Sequence, residues 1–212
     1  MEEPALFAEL GIVDGLRILD LGCGDAATGR KLLDAGCRSY LGMDGSASMV
    51  QAATATLHGT TGRAVQVDME DFSASPSSFD LIVSRLALHY VEDVAPVLAA
   101  CHRCLSPGGR LVFTVVHPML SSYDSGTQGT RTSWVVDDYF VRGARQREWM
   151  GGTATWFHRT IEDYVDALKT AGFALSSLRE CEPNEERFAG DVGEYERPRR
   201  VPLFLLIAAG RL

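Results

Sequence analysis

Between residues 17 and 116, short apolar runs alternate with stretches of helical periodicity, and this alternation confines the chain to a few folds. RILDL (17–21) stops at Gly22-Cys23-Gly24, and the segment that follows through Leu32 and Leu33 reads as a helix broken at Gly36. The unit then recurs. YLGMD (40–44) precedes a helix opened by Ser46, and AVQVD (64–68) leads into the acidic DMEDF. FDLIVS (79–84) leads to a helix around 92–105, where Val94, Val97, Leu98, Cys101 and Leu105 follow the 3.6-residue period. LSPGG then turns the chain into RLVFTVV (110–116). Strands alternating with helices predict parallel pairing, right-handed crossovers and a sheet covered on both faces.

After His117-Pro118 the pattern lapses over 119–158, a segment rich in Ser, Gly, Thr and aromatics. A structureless loop of that length is rare in a compact domain, so the segment is expected to be a partly ordered lid or extra strands. Thr160-Ile-Glu-Asp163 is a capping-box pattern for a last helix, with Ile161, Tyr164, Val165 and Leu168 on one face and Gly172 as its stop. FALSSLRE (173–180) and VPLFLLIAAGRL (201–212) read as two closing strands. The expected fold class is α/β: a single Rossmann-like, doubly wound, seven-stranded, mostly parallel sheet with an antiparallel C-terminal hairpin, forming one domain over 1–212.

Charge narrows the partners. Twenty Lys and Arg stand against 28 Asp and Glu, a net charge of −8, which opposes attraction to phosphate backbones or anionic membranes. No nucleic acid and no membrane is expected as partner. The five cysteines are odd in number and scattered, so free thiols and a cytoplasmic setting are expected. Cys101-His102-Arg103-Cys104 lacks the second pair a zinc site needs, and no metal is expected.

The chemistry lies in the first turn. Gly22-x-Gly24, after a strand and before a helix, sets backbone N–H groups at a helix N-terminus, and Asp44 follows Gly24 by 20 residues at the end of the next strand. That spacing binds an adenosine ribose: the glycines allow close approach and the carboxylate accepts from sugar hydroxyls. Asp20 chooses between ligands, because a carboxylate there repels a pyrophosphate yet attracts a cationic amino group.

Taken in order, ILDLGCGDA, GMDGS, DMEDF, FDLIVSRLALHYVED and LSPGGRLVFTV resemble the class I S-adenosylmethionine-dependent methyltransferases, closely over about 17–116 and more loosely beyond. The resemblance implies S-adenosyl-L-methionine as cofactor. It implies that Asp20, Gly22 and Gly24 face the methionine moiety, Asp44 holds the ribose, and Asp68 with Met69 meet the adenine. Met49 is a further adenine-side candidate, and Ser84 and Arg85 would offer backbone to the methionine portion. The fourth strand ends in SRLA rather than the Asn/Asp-Pro-Pro-Tyr pattern used on amide and nucleobase nitrogens, which weakens DNA adenine and protein glutamine as acceptors. About 16 residues precede the first strand, where many relatives place lid helices, so either the insertion supplies the cover or the roof of the site is open without a partner.

His89 and Tyr90 follow the fourth strand, at the sheet edge where cofactor and acceptor should meet, and His89 is the first candidate for a base or orienting group. His117 ends the fifth strand, and His158 closes the aromatic segment as FHRT, a string familiar from small methyltransferases of this type; both are further catalytic candidates. Tyr90, Trp134 and Trp149, with Trp156 beside them, could wall the acceptor. The acidic run Glu182, Glu185, Glu186, Asp191, Glu194 and Glu196 would favour a cationic acceptor, and Arg197, Arg199 and Arg200 an anionic one; ordinary surface solvation accounts for either group. The expected activity is methyl transfer to oxygen or nitrogen of a small-molecule acceptor, in a monomer or homodimer, with bacterial specialised metabolism as a setting. The rivals are a nicotinamide-dependent oxidoreductase and a cofactor-binding module without catalysis.

Overall fold

A computed structural model describes residues 1–122, 134–149, 152–183 and 199–212. Its main sheet is built from β1 (Arg17–Leu21), β2 (Ser39–Asp44), β3 (Arg63–Gln66), β4 (Phe79–Arg85), β5 (Leu105–Val116), and the later strands β8 (Phe173–Glu180) and β9 (Phe204–Arg211), in the order β3-β2-β1-β4-β5-β9-β8. The first five strands pair in parallel, and β9 inserts antiparallel between β5 and β8. The reversal of winding between β1 and β4 opens a crevice at the strands' carboxyl ends, the place where open α/β sheets bind ligands.

Both sheet faces are buried, and the two-residue period divides the side chains between them. Leu19, Leu21, Ile82, Phe113 and Ile207 face α4 (Val94–Cys104) and α6 (Ile161–Thr170). Ile18, Leu81, Val83, Val112 and Leu206 face α1 (Glu2–Leu10), α2 (Ala27–Asp34) and α3 (Ala47–Thr56). Under the sheet, Arg17 grips Asp80 through Nε at 3.0 Å and Nη2 at 2.7 Å, which joins β1 to β4 and holds the Asp80 carboxyl down at about 2.

The helix caps follow the sequence. Ser46 Oγ accepts from Met49 N at the start of α3, and Thr160 and Asp163 complete a reciprocal capping box on α6. The fifth strand starts earlier than expected. Pairing to β4 passes from Leu105 directly to Arg110, so SPGG forms a bulge within β5 rather than a turn before it.

Helix α1 precedes the alternating strands and helices, and its sequence carries no cap that marks it. Leu6 and Leu10, one turn apart and fully buried, anchor it on the sheet face, at about 1.5 to 3 kcal/mol for each leucine. Arg110 from β5 donates to the carbonyls of Glu9 and Leu10 and so caps its last turn.

The insertion contains order of its own. A short helix α5 (Pro118–Ser121) is followed by a separate antiparallel hairpin of β6 (Gly143–Trp149) and β7 (Gly152–His158). Residues 123–133, 150–151 and 184–198 lie outside the described residues, as does the side chain of Trp149. With them go Glu185, Glu186, Asp191, Glu194, Glu196 and Arg197. No helix among the described residues is long and apolar enough to cross a membrane.

Candidate active site

The carboxyl ends of β1, β2 and β4 border a cleft of about 800 Å³, lined among others by Gly22, Gly24, Asp44, Met49, Asp68, Met69, Arg85, Leu86 and Tyr90. A smaller recess adjoins it, sharing Gly22, Gly24, Arg85 and Leu86 and ending on Asp20. Eight of the sequence-derived site residues, counted from Gly22 to Tyr90, therefore share one cavity, with Asp20 at its inner end.

Gly22 must be glycine here. Its φ is +70°, and a Cβ would lie 2.2 Å from the Cβ of Ala87 on the opposite wall. The turn continues through Gly24 at φ +55° to Ala26, left-handed at φ +58° and completely buried, before α2 begins. Asp44 ties this turn to the next helix: its Oδ2 accepts from Gly24 N and its Oδ1 from Ser46 N, both at 2.9 Å. Each carboxylate oxygen keeps a second lone pair for a ligand hydroxyl.

Asp20 is 1% exposed. Tyr40 donates its hydroxyl to Asp20 Oδ2 at 2.7 Å, whereas Oδ1 is buried without a partner. Burial is the main cause that raises the Asp20 carboxyl to about 7; the Tyr40 hydrogen bond and the nearby Arg85 charge oppose it. Tyr40 holds that position by packing its ring over Gly29, where a Cβ would come within 2.1 Å of the ring.

At the end of β4, Ser84 is fully buried and donates to Leu21 O at 2.8 Å, fixing β4 to β1 below the cleft floor. Arg85 lines both cavities and is held from outside by α1: its Nη2 lies 2.7 Å from Glu2 Oε1, and its Nη1 3.4 Å from Glu3 Oε1. Leu86 stands on the cleft wall at φ +51°, a strained conformation for a branched side chain. Neither Tyr40, Glu2 nor Leu86 was singled out from the sequence. Only Glu2 carried a usable signal, in the acidic first turn of a segment with Leu6 and Leu10 at helical spacing.

The histidines differ in what they have left to offer. His89 sits behind Tyr90, edge-on to Trp156 at 5.5 Å; its Nδ1 is buried without a partner, and burial together with Arg159 lowers its pKa to about 3. His117 Nδ1 accepts from Met119 N at 3.1 Å, so its proton is on Nε2, which lies 3.1 Å from Glu180 Oε1. His158 Nε2 donates to Tyr139 O at 2.8 Å, which leaves Nδ1 to accept from the hydroxyls of Ser121 and Ser122 at 2.6 and 3.2 Å. His89, His117, His158 and the half-buried Trp134 are not among the residues that line the cleft, although His89 adjoins Tyr90, which does.

The cleft suits a ligand with an adenosine ribose and a cationic tail. Its volume falls within the usual range for such sites, Gly22 and Ala87 leave no room for a side chain between them, and the orphaned Asp20 oxygen lies where a positive group would satisfy it.

Residues 19–113 match the family described as a methyltransferase domain. The fold superposes on a crystal structure of an S-adenosylmethionine-dependent methyltransferase from Mesorhizobium loti with a TM-score of 0.89, at 37% identity over 99% of this chain and 97% of that one. A ubiquinone biosynthesis O-methyltransferase from Thiobacillus denitrificans is 31% identical over 113 residues, covering 51% of this chain and 48% of its own length. A tRNA U34 carboxymethyltransferase from Methylococcus capsulatus is 34% identical over 101 residues, covering 46% of this chain and 31% of its own. The chain spans half or less of the length of those two relatives. It belongs to the class I S-adenosylmethionine-dependent methyltransferases, and S-adenosylmethionine is its cofactor. The oxidoreductase alternative is thereby set aside.

Proposed function

We propose that this methyltransferase transfers the methyl group to an oxygen or nitrogen of a small-molecule acceptor that enters beside Tyr90. The observation that carries the proposal is the lining of the cleft: Asp44, Asp68, Glu70 and Asp71 against Arg85 alone give its mouth an acidic character that repels a polynucleotide backbone. A volume of about 800 Å³ suits a cofactor-sized ligand together with a compact acceptor group.

Bound S-adenosylmethionine supplies a methyl group already activated by a sulfonium, so the chain has little acid–base work to do. Its residues align and enclose: Asp44 holds the ribose, Asp68, Met49 and Met69 border the adenine, and Asp20 attracts the ammonium. Ser84 and Arg85 present the end of β4 to the amino-acid portion. Alignment of this kind is worth up to ~7 to 11 kcal/mol, against roughly 10²- to 10⁴-fold for a general base.

Of the three candidate histidines, His89 adjoins Tyr90 on the cleft wall and has a buried Nδ1 without a partner, so we assign it the contact with an acceptor. With its pKa lowered to about 3 the His89 imidazole is neutral at pH 7 but too weakly basic to draw a proton efficiently, so His89 acts as an acceptor-orienting hydrogen-bond partner rather than as a base. His117 and His158 position the insertion: both ring nitrogens of His158 are hydrogen-bonded, and His117 accepts from Met119 N through Nδ1 with Nε2 3.1 Å from Glu180 Oε1. We keep specialised bacterial metabolism as the setting of this reading. Incubation with S-adenosylmethionine and a metabolite library, read by mass spectrometry, should yield a product heavier by one methylene together with S-adenosylhomocysteine. Tight cofactor binding with no product from any small-molecule acceptor would favour a binding module instead.

A further inference from the structure

Helix α1 reaches the cofactor cleft through one side chain. Arg85 lines the main cleft and the recess that ends on Asp20, yet its guanidinium is gripped from behind: Nε and Nη2 donate to Glu2 Oε1 at 3.0 and 2.7 Å, and Nη1 to Glu3 Oε1 at 3.4 Å. Glu2 is 6% exposed, unusual for a carboxylate in the first turn of a helix, and its Oε2 is buried without a partner. Lys31 meanwhile takes Glu3 Oε1 at 2.7 Å, so Glu2 is the residue committed to Arg85. Such burial is costly, and it is offset where it fixes a charge that something else needs.

The recess explains the need. Asp20 and Arg85 border the same small space, one anionic and one cationic. A zwitterionic amino-acid end presents an ammonium and a carboxylate on one carbon, and an acid beside a guanidinium complements both. The guanidinium carries five N–H groups, so those left over from Glu2 and Glu3 can serve a ligand carboxylate.

We propose that Glu2 is a positioning residue of the cofactor site: from helix α1 it holds the Arg85 guanidinium in the orientation that recognises the α-carboxylate of S-adenosylmethionine or S-adenosylhomocysteine. The proposal rests on the cofactor assignment and deepens it. Helix α1 thereby joins the site although it lies outside the alternating strand-and-helix region, and the affinity for the amino-acid end depends on its docking.

The test separates the two ends of the ligand. Isothermal titration of wild type, Glu2→Gln and Arg85→Lys would be made with S-adenosylhomocysteine and with 5′-methylthioadenosine, which keeps the adenosine and lacks the amino acid. Both variants should bind S-adenosylhomocysteine about three- to tenfold more weakly and methylthioadenosine as wild type does. Should Glu2→Gln fail to fold by circular dichroism, Glu2→Asp takes its place, with the same selective loss expected. Unchanged S-adenosylhomocysteine affinity in the Glu2 variant, or equal losses for both ligands, would overturn the role of Glu2. Wild type that binds neither ligand would overturn the cofactor site beneath it.

Discussion

Asp20 sets the electrostatics of the site. Because burial raises its carboxyl to about 7, the residue is only partly ionised at neutral pH while the cofactor's amino-acid end bears its cation. Binding a cation there favours the ionised form, so affinity should fall as pH drops from 8 to 6 and level off above 8. Titration calorimetry of S-adenosylhomocysteine across that range checks this, with Asp20→Asn giving weaker binding and a flatter profile. A wild-type affinity independent of pH would count against Asp20 as the ammonium partner. The placement of Asp20 beside Gly22 and Gly24 is legible in the sequence because spacing in one turn carries it. Tyr40 is not: its hydroxyl meets Asp20 across the β1–β2 pair, where its ring rests on Gly29 from α2, and no local pattern encodes a contact made between three elements.

The elements that follow hydrophobic periodicity, β1, β2, β4, α4, α6 and β9, are legible because their apolar residues are the buried ones. Those held by particular side chains are less so. Helix α1 depends on Leu6 and Leu10 against a sheet not yet present in the sequence order, and on Arg110 arriving from β5. The β6–β7 hairpin depends on a pin: His158, at the end of β7, joins Ser121 and Ser122 beside α5 to the carbonyl of Tyr139. In the sequence His158 is one histidine among five, and its type suggests catalysis as readily as tethering. His158→Ala leaves those groups without their partner, so the fold should lose roughly 1 to 3 kcal/mol. Limited proteolysis should cut the hairpin region faster in this variant, while S-adenosylhomocysteine affinity stays as in wild type. A large affinity loss with unchanged protease resistance would instead place His158 in the site.

Across the whole molecule, buried titratable groups pull stability in opposite directions with pH. His89, His117 and His158 are all lowered, chiefly by burial, so the folded chain binds fewer protons than the unfolded one once pH drops below about 6.5. Their contribution is complete above that pH and is lost on acidification, for His89 down to about 3. Asp20 has the opposite sign: raised to about 7, it stabilises at low pH, and its contribution is lost as pH rises from about 4 through 7. Three groups outweigh one, so the melting temperature should fall between pH 7.5 and pH 5, and Asp20→Asn, which removes the opposing group, should steepen the fall. A melting temperature that rises on acidification would contradict the burial of these histidines. The three lie where the insertion meets the body of the fold, so the same acidification should loosen the β6–β7 hairpin before the sheet. The central claim, that the glycine turn and Asp44 form the cofactor site, is tested most directly by titrating S-adenosylhomocysteine into wild type and Asp44→Ala. The expected result is saturable one-to-one binding to wild type and an affinity at least about tenfold lower in a variant that is folded by circular dichroism, the loss of a charge-assisted hydrogen-bond pair to the ligand. Equal affinity in the two proteins would contradict it.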